Sequence, residues 1–160
     1  MNESRSCSDC EAGAAVNLEP DFKEFIELLN SNRVEYLLIG GYAVAAHGHP
    51  RYTKDIDVWI AATDQNAKKV IRVLEQFGFA DLGLTPADFT EPNQIVQLGY
   101  EPVRIDVLTG VGLPFEVCYP KRVLTYMDGV EISVVALDDL IALKRIAARP
   151  QDLADIDHLS

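Results

Sequence analysis

Apolar residues follow two different spacings along this chain, and the spacings divide it into helices and strands. Residues 21–29 and 64–77 place apolar side chains three and four positions apart, which is the pattern of one helix face. We therefore predict a helix over each segment, the second ended by Gly78. A third helix is predicted over residues 139–148, capped by Asp138, and a short last helix with Pro150 in its first turn.

Short runs of apolar and β-branched residues predict the strands. They are residues 36–39, 56–61, 94–99, 103–108, 123–127 and 130–135. Asp128-Gly129 separates the last two runs, and this dipeptide favours the type I′ turn of a β-hairpin. Pro86 and Pro92 interrupt residues 81–92, which we predict to form a loop.

Strands mixed irregularly with helices predict an α/β (α+β) fold, a mixed β-sheet with helices packed mainly on one face. A chain of 160 residues is long enough for one domain with a sizeable core. Residues 1–19 are rich in Ser, Glu and Ala and show no periodicity. We therefore predict a flexible N-terminal tail over residues 1–19 and a single domain over residues 20–160.

Composition narrows the class of protein without identifying its chemistry. Apolar residues make up 48% of the chain and charged residues 24%, which is ordinary for a globular protein. No run approaches the ~20 apolar residues of a membrane span and no signal-peptide core is present, so we expect a cytoplasmic protein without a membrane partner. A net charge of −11 argues against broad, non-specific nucleic-acid binding, although a local basic patch remains compatible with it.

Cys7 and Cys10 form a Cys-x-x-Cys pair in the polar N-terminal segment, far from Cys118. One such pair is half of a zinc site, and no second Cys/His pair follows at ligand spacing. A metal or redox role stays open, but reduced thiols in a tail are the simpler interpretation.

The chemistry is concentrated around two motifs that each follow or form an apolar strand. Gly40-Gly41 ends the strand over residues 36–39, where two glycines let backbone amides approach an anion closely. Asp55 and Asp57 flank an isoleucine in the next strand, so their side chains share one face. Adjacent carboxylates repel each other, and a divalent cation between them would relieve the repulsion.

Asp106 provides a third carboxylate in the β-branched run over residues 103–108. If it lies on the same sheet face as the other two, three hard oxygen ligands of this kind suit Mg²⁺ or Mn²⁺. A nuclease, a polymerase and a nucleotidyltransferase could all use such a site, because two metals hold the attacking and leaving oxygens. The glycine pair favours an enzyme that binds a triphosphate, since a nuclease needs no site for one.

Gly40-Gly41, Asp55-Ile56-Asp57 and the later Asp106 together resemble the DNA polymerase β-type nucleotidyltransferase superfamily. The resemblance covers residues 22–159 and implies the nucleotidyltransferase fold. Two segments are similar to the small bacterial branch that includes abortive-infection-type toxins: the lead-in to the first acids, and a late basic and acidic segment. These segments consist of Arg51, Thr53, Asp55 and Asp57, and of Lys144, Arg149, Asp152 and Asp155.

The resemblance implies a metal-dependent transfer of a nucleoside monophosphate from a nucleoside triphosphate to a hydroxyl acceptor. Asp55, Asp57 and Asp106 would be the metal ligands and catalytic acids. The nucleotide-binding residues would be Gly40, Gly41, Arg51, Thr53 and Lys144. Arg51 could instead pair with Asp55, and Lys144 could extend to solvent from an apolar helix stripe.

Neighbouring residues with catalytic side chains have simpler roles. We expect His47 to satisfy a helix C-terminus rather than act as a base, and Trp59 to pack rather than stack on a base.

Two other functional classes remain open at this point. One is a non-catalytic binding or regulatory module of a toxin–antitoxin-like system, and the other is a metal-dependent nuclease. The acceptor could be a tRNA end, a protein side chain or a small molecule such as an antibiotic. A partner protein or a homodimer is compatible with the sequence.

Overall fold

The computed structural model describes residues 18–50, 53–100 and 103–160. The predictions for residues 1–17, including Cys7 and Cys10, and for Arg51 lie outside the described residues. The α-helices are α1 (Pro20–Ser31), α2 (Gly40–Ala46), α3 (Asp64–Phe77), α4 (Phe115–Cys118), α5 (Leu137–Ala147) and α6 (Pro150–Leu159). The strands are β1 (Tyr36–Ile39), β2 (Asp55–Ile60), β3 (Ile95–Tyr100), β4 (Val103–Leu108), β5 (Val123–Met127) and β6 (Val130–Val134).

The strands form one six-stranded mixed sheet in the order β3-β4-β2-β1-β6-β5. β2 pairs with β4 in parallel and with β1 in antiparallel orientation, and β1 pairs with β6 in parallel. β3–β4 and β5–β6 are antiparallel pairs at the two ends of the sheet. The predicted α/β class with a mixed sheet is therefore confirmed.

Burial explains why the two long amphipathic helices form where the apolar spacing predicts them. α1 buries Phe22, Phe25, Ile26 and Leu29, and α3 buries its apolar side toward α1. Phe25 of α1 meets Phe77 of α3 edge to face, with ring centroids 5.4 Å apart. On β2, Ile56, Val58 and Ile60 are fully buried, so the opposite face is left for Asp55, Asp57 and Trp59.

Local sequence signals place most element ends correctly. α3 has the predicted bounds, with Gly78 in a left-handed C-cap at φ 103°. Asp128 and Gly129 both have positive φ, as the predicted type I′ turn requires. Pro150 begins α6, as predicted.

Three predictions of local structure were wrong, and one helix was not predicted. Asp138 is not the N-cap of α5, because the helix already begins at Leu137 after Ala136. Residues 42–47 predict one or two helical turns after the glycine pair, but this helix, α2, begins two residues earlier, at Gly40 directly after β1. Residues 81–92 are not a simple loop: 3₁₀ turns form at Ala80–Leu82 and Pro86–Phe89, the second closed by a Thr85–Asp88 capping box. The short α4 was not predicted at all.

Among the described residues, no helix combines the length and the apolar character that crossing a membrane requires.

Candidate active site

The parallel pairing of β2 with β4 brings the three predicted acids to one place on the sheet. Asp57 lies directly opposite Asp106, and Asp55 lies opposite Arg104. Residues paired across a sheet point to the same face, so Asp55, Asp57 and Asp106 form one cluster of three carboxylates. Asp106 is buried, whereas Asp55 and Asp57 are half-buried.

Arg104 neutralises part of the negative charge of this cluster. Its Nη2 donates to Asp55 Oδ2 at 2.7 Å, and its Nε donates to Asp106 Oδ1 at 3.2 Å. The prediction considered Arg51 as the counter-ion of Asp55, and it gave Arg104 no role. The signal was available, because Arg104 precedes Asp106 by two positions in a strand and therefore shares its face.

Asp57 has the most perturbed ionisation of the three acids. Burial raises its pKa to about 7, and the nearby charges of Asp106 and Asp55 and a hydrogen bond with Asp106 act in the same direction. The ammonium group of Lys144 opposes the shift. Protonation of Asp57 thus relieves a repulsion that a metal cation would also relieve.

Gly40 provides the close packing around Asp57. It has φ +73°, a backbone conformation that favours glycine. A Cβ atom added at Gly40 would overlap the Asp57 carboxylate. The backbone conformation and the packing therefore require glycine at position 40. The adjacent Gly41 is buried in the first turn of α2 and is not among the positive-φ residues.

Gly40→Ala is expected to weaken both the fold and the binding of a metal–nucleotide complex. Gly83 provides a matched control, since it has φ +71° but open space where a Cβ would be. Both variants should lose about 1–2 kcal/mol of unfolding free energy through the left-handed backbone. Only Gly40→Ala should also lose metal-dependent nucleotide binding in calorimetry, because the new methyl group displaces the Asp57 carboxylate. Equal binding by the two variants would contradict this role of Gly40.

A cleft opens over this cluster of three carboxylates. Its volume is about 400 Å³, which suits a small ligand. We call it the acidic cleft; it is lined by residues of β1 to β4, by the first residue of α2, by Gly110 and Val111, and by α5, Arg149 and the start of α6. Gly40, Asp55, Asp57, Asp106 and Lys144 line it, whereas Gly41 and Thr53 are not among its lining residues. Thr53 instead donates its hydroxyl to the carbonyl of Asp55 at 3.2 Å.

Lys144 enters the wall of the acidic cleft as part of a buried ion-pair network. Its Nζ lies 3.2 Å from Asp152 Oδ1 and 3.1 Å from Asp155 Oδ2, and the residue is only 5% exposed. Lys144 does not extend to solvent, the alternative that the sequence left open. Arg149 also binds Asp152, at 2.7 Å, but its side chain is 74% exposed.

The ionisation of Asp152 reflects these two cations. Burial alone would raise the pKa of Asp152, but hydrogen bonds from Arg149 and Lys144 outweigh it and lower the pKa. In return, the hydrogen bond with Asp152 raises the pKa of Arg149. The lowered pKa favours the charged form of Asp152, which contacts both basic side chains at the cleft.

The simpler roles predicted for two neighbouring residues agree with their contacts. His47 is the C-cap of α2, and its Nε2 is 2.8 Å from the carbonyl oxygen of Val135. Trp59 is buried and packs edge to face on Phe115, with ring centroids 5.2 Å apart.

Within the described part of the chain, no group of three or more His, Cys, Asp or Glu side chains is spaced to hold a metal ion. Arg104 already engages two of the acids, because its guanidinium group binds Asp55 and Asp106 together. The donor chemistry nevertheless fits Mg²⁺ or Mn²⁺, since Asp55, Asp57 and Asp106 are hard oxygen ligands and the burial and repulsion that raise the pKa of Asp57 favour a cation beside it.

Comparison with known proteins gives one family and several similar folds. A family model described as "Nucleotidyl transferase of unknown function (DUF2204)" matches residues 19–160. No curated protein sequence matches the chain.

Three solved structures illustrate the shared fold. The lincosamide antibiotic adenylyltransferase LnuA, solved with lincomycin bound, is 18% identical with a TM-score of 0.56, covering 89% of this chain and 96% of its own. ANT(2″)-Ia in complex with adenylyl-2″-tobramycin is 10% identical with a TM-score of 0.58, covering 86% of this chain and 84% of its own. An antigenic nucleotidyltransferase-like protein from Paracoccidioides brasiliensis is 16% identical with a TM-score of 0.53, covering 86% of this chain and 72% of its own.

Proposed function

The chain belongs to the nucleotidyl transferase family whose model matches residues 19–160, and from this premise we propose that it moves a nucleoside monophosphate from a nucleoside triphosphate to a hydroxyl acceptor. The observation that carries the proposal is the pairing of Asp57 with Asp106 on adjacent parallel strands, beside Gly40. This pairing places carboxylate oxygens at the base of a cleft that is large enough for a nucleotide's phosphates.

Asp55, Asp57 and Asp106 would hold Mg²⁺ or Mn²⁺, which supplies positive charge to the phosphate oxygens when it is bound. Asp106 would also accept the proton of the acceptor hydroxyl as that oxygen attacks the α-phosphate. The backbone N–H group of Gly40, the glycine of the pair that lines the acidic cleft, would bind the β- and γ-phosphates, because the first N–H groups of a helix have no acceptor within it. Pyrophosphate is the leaving group, and the chain contributes positioning and electrostatic stabilisation.

Arg149 is better placed than Lys144 for direct contact with a phosphate. The ammonium of Lys144 is committed to Asp152 and Asp155, whereas the guanidinium of Arg149 is largely exposed at the cleft. A guanidinium also presents paired donors to phosphate oxygens. We assign Lys144 the role of fixing Asp152, which in turn orients Arg149.

A small hydroxylated molecule is the acceptor class that the charge distribution favours. The net charge of −11 and the carboxylates in the cleft disfavour a polyanion such as RNA. Proteins of similar fold are named for antibiotic adenylylation, which adds support for an acceptor of this class. We also propose that the reaction depends on a divalent metal and that the chain is related to the toxin-like branch.

Mg²⁺ together with a nucleoside triphosphate is expected to raise the melting temperature more than either component alone. The metal relieves the repulsion at Asp57, and a ligand at 100 times its Kd stabilises the native state by about 2.7 kcal/mol. That corresponds to a rise of roughly 5–10 °C for a domain of this size. The measurement is a thermal melt with each component alone and with both, repeated on Asp57→Asn.

The variant should lose the part of the shift that needs both components. A melting curve unchanged by millimolar Mg²⁺ and triphosphate would contradict the proposed function. It would favour a non-catalytic binding module, in which Arg104 permanently neutralises the acids.

A further inference from the structure

The two edges of the sheet differ in how they are protected against pairing with another strand. β3 forms one edge and β5 the other. In β3, Gly99 has φ 78°, which interrupts the extended backbone of that edge. β5 contains no Gly, Pro or charged residue between Val123 and Met127. Natural edge strands are usually blunted by charge, proline or a bulge, so an uncharged regular edge is a template for another strand.

The side chains of β5 leave apolar surface open on the outer face of this edge. Leu124 is 54% exposed and Tyr126 is 69% exposed. They alternate with Met127, which is buried against the core, so both lie on the face away from it. Two large apolar side chains beside an open backbone edge indicate a surface that another strand covers.

The hairpin register fixes which backbone groups of β5 are available. Met127 pairs with Val130 across the two-residue turn, so these two residues exchange hydrogen bonds. The alternation along the pair then directs the backbone of Val123 and Thr125 toward β6 as well. The N–H and C=O groups of Leu124 and Tyr126 consequently point outward from the sheet edge.

We propose that β5 is a dimerisation strand, which pairs antiparallel with β5 of a second copy about a two-fold axis at Thr125. In this register Leu124 of each copy lies opposite Tyr126 of the other. Their outward N–H and C=O groups can then form four backbone hydrogen bonds, and the alternation of bonded and non-bonded pairs is preserved. Leu124 and Tyr126 cover each other as cross-strand pairs.

The charges at the two ends of the strand favour this arrangement. Arg122 precedes β5 and Asp128 follows it. In the antiparallel register, Arg122 of one copy is level with Asp128 of the other, so each end of the paired strands carries one positive and one negative residue. A parallel arrangement would instead place like charges side by side.

A second copy fits this edge better than the N-terminal segment of the same chain. Residues 1–17 contain mainly Ser, Glu, Asp, Cys, Ala and Gly, with few residues of high β-propensity. The self-complementary order of β5 is also what an isologous two-fold interface requires. The proposal concerns assembly and does not depend on the reaction in the acidic cleft.

Amide hydrogen exchange by NMR tests the register residue by residue in the full-length chain. Measurements near 0.15 M salt screen the repulsion between two copies with net charge −11. Exchange at Leu124 and Tyr126 should slow by about tenfold or more as protein concentration rises through the dimerisation range. Val123, Thr125 and Met127 serve as internal controls, because β6 already protects them. Sedimentation equilibrium on the same samples should show conversion of monomer to dimer.

Two variants and one matched control separate this edge from other surfaces. Tyr126→Lys adds a charge on the outer face, and Leu124→Pro removes an outward N–H that has no role within the hairpin. Both should shift the protein to monomer while far-UV circular dichroism stays near wild type. Tyr100→Lys is the control, since Tyr100 is 89% exposed on the opposite edge, and it should dimerise like the wild type.

A protein that stays monomeric at every concentration would overturn the proposal. So would a dimer that persists in Tyr126→Lys, or exchange rates at Leu124 and Tyr126 that do not depend on concentration. Should Leu124→Pro disturb the fold, Tyr126→Lys and the exchange rates of the wild-type chain decide the outcome.

Discussion

Replacing Asp57 with asparagine should lower the rate of nucleotidyl transfer by about 10³-fold, the upper range for losing one charge-stabilising group. The substituted amide would still reach Asp106 but would provide no anionic oxygen for a metal. The effect should appear in the maximal rate as well as in nucleotide affinity. Asp81→Asn is the matched control, because Asp81 is exposed and lies outside the acidic cleft, and it should keep wild-type activity.

The same variant should be more stable than the wild type in the absence of metal and nucleotide. Asp57 has a pKa raised from 3.8 to about 7, so the native state binds a proton more tightly than the unfolded chain. The wild type therefore loses stability as pH rises through this window, from about pH 4 to about pH 7. Asparagine does not titrate, so the stability difference between variant and wild type should grow over that window.

The charged groups around Asp57 determine the size of this pH dependence. Asp55 and Asp106 raise the pKa of Asp57, while Lys144 lowers it and Arg149 also interacts with it. Denaturant unfolding at several pH values measures the effect, with Asp81→Asn as the reference. The proposed role of Asp57 would be contradicted if the stability difference between Asp57→Asn and the wild type were constant from pH 4 to pH 7 and the variant kept wild-type transfer activity.

Lys144→Met should destabilise the fold by about 3 kcal/mol, the lower end of the range for breaking a buried ion pair. Lys144 is the shared cation of Asp152 and Asp155, which are both 1% exposed. Arg149 still neutralises part of Asp152, which limits the loss. Denaturant unfolding of the metal-free protein provides the measurement.

Lys121→Met is the matched control for Lys144→Met. Lys121 bonds Asp139 at 2.9 Å, but its side chain is 46% exposed, so solvent screens that pair and its loss should destabilise the fold less than the loss of Lys144. Adding Asp155→Asn to Lys144→Met should recover part of the lost stability, because it removes one buried charge. Equal effects of the two lysine substitutions would show that the network at Lys144 is not structurally important.

Much of the fold could be predicted from sequence because its signals are local. The bounds of α3 follow from apolar spacing and Gly78, and the β5–β6 hairpin follows from Asp128-Gly129. The start of α2 was harder to predict, because Gly40 passes from strand to helix without a loop. That transition requires a positive φ at one residue. Gly40 and Gly41 could each adopt it, so the sequence does not show which of them does.

The candidate site was predictable as a set of acids but not as an electrostatic unit. Asp55 and Asp57 share a face by strand alternation, whereas the position of Asp106 depends on the pairing of β2 with β4. The role of Arg104 follows from the same long-range register. The position of Lys144 in the cleft wall depends on how α5 and α6 pack together, which no local spacing encodes.

The most direct test of the account follows each phosphate of the nucleotide separately. The protein is incubated with Mg²⁺, a panel of hydroxylated small molecules, and a nucleoside triphosphate labelled at either the α- or the γ-phosphorus. Nucleotidyl transfer in the acidic cleft predicts that the α-label enters an acceptor and the γ-label leaves as pyrophosphate, and that Asp57→Asn stops both. Transfer of the γ-label to the acceptor, or α-label transfer that Asp57→Asn leaves unchanged, would contradict it.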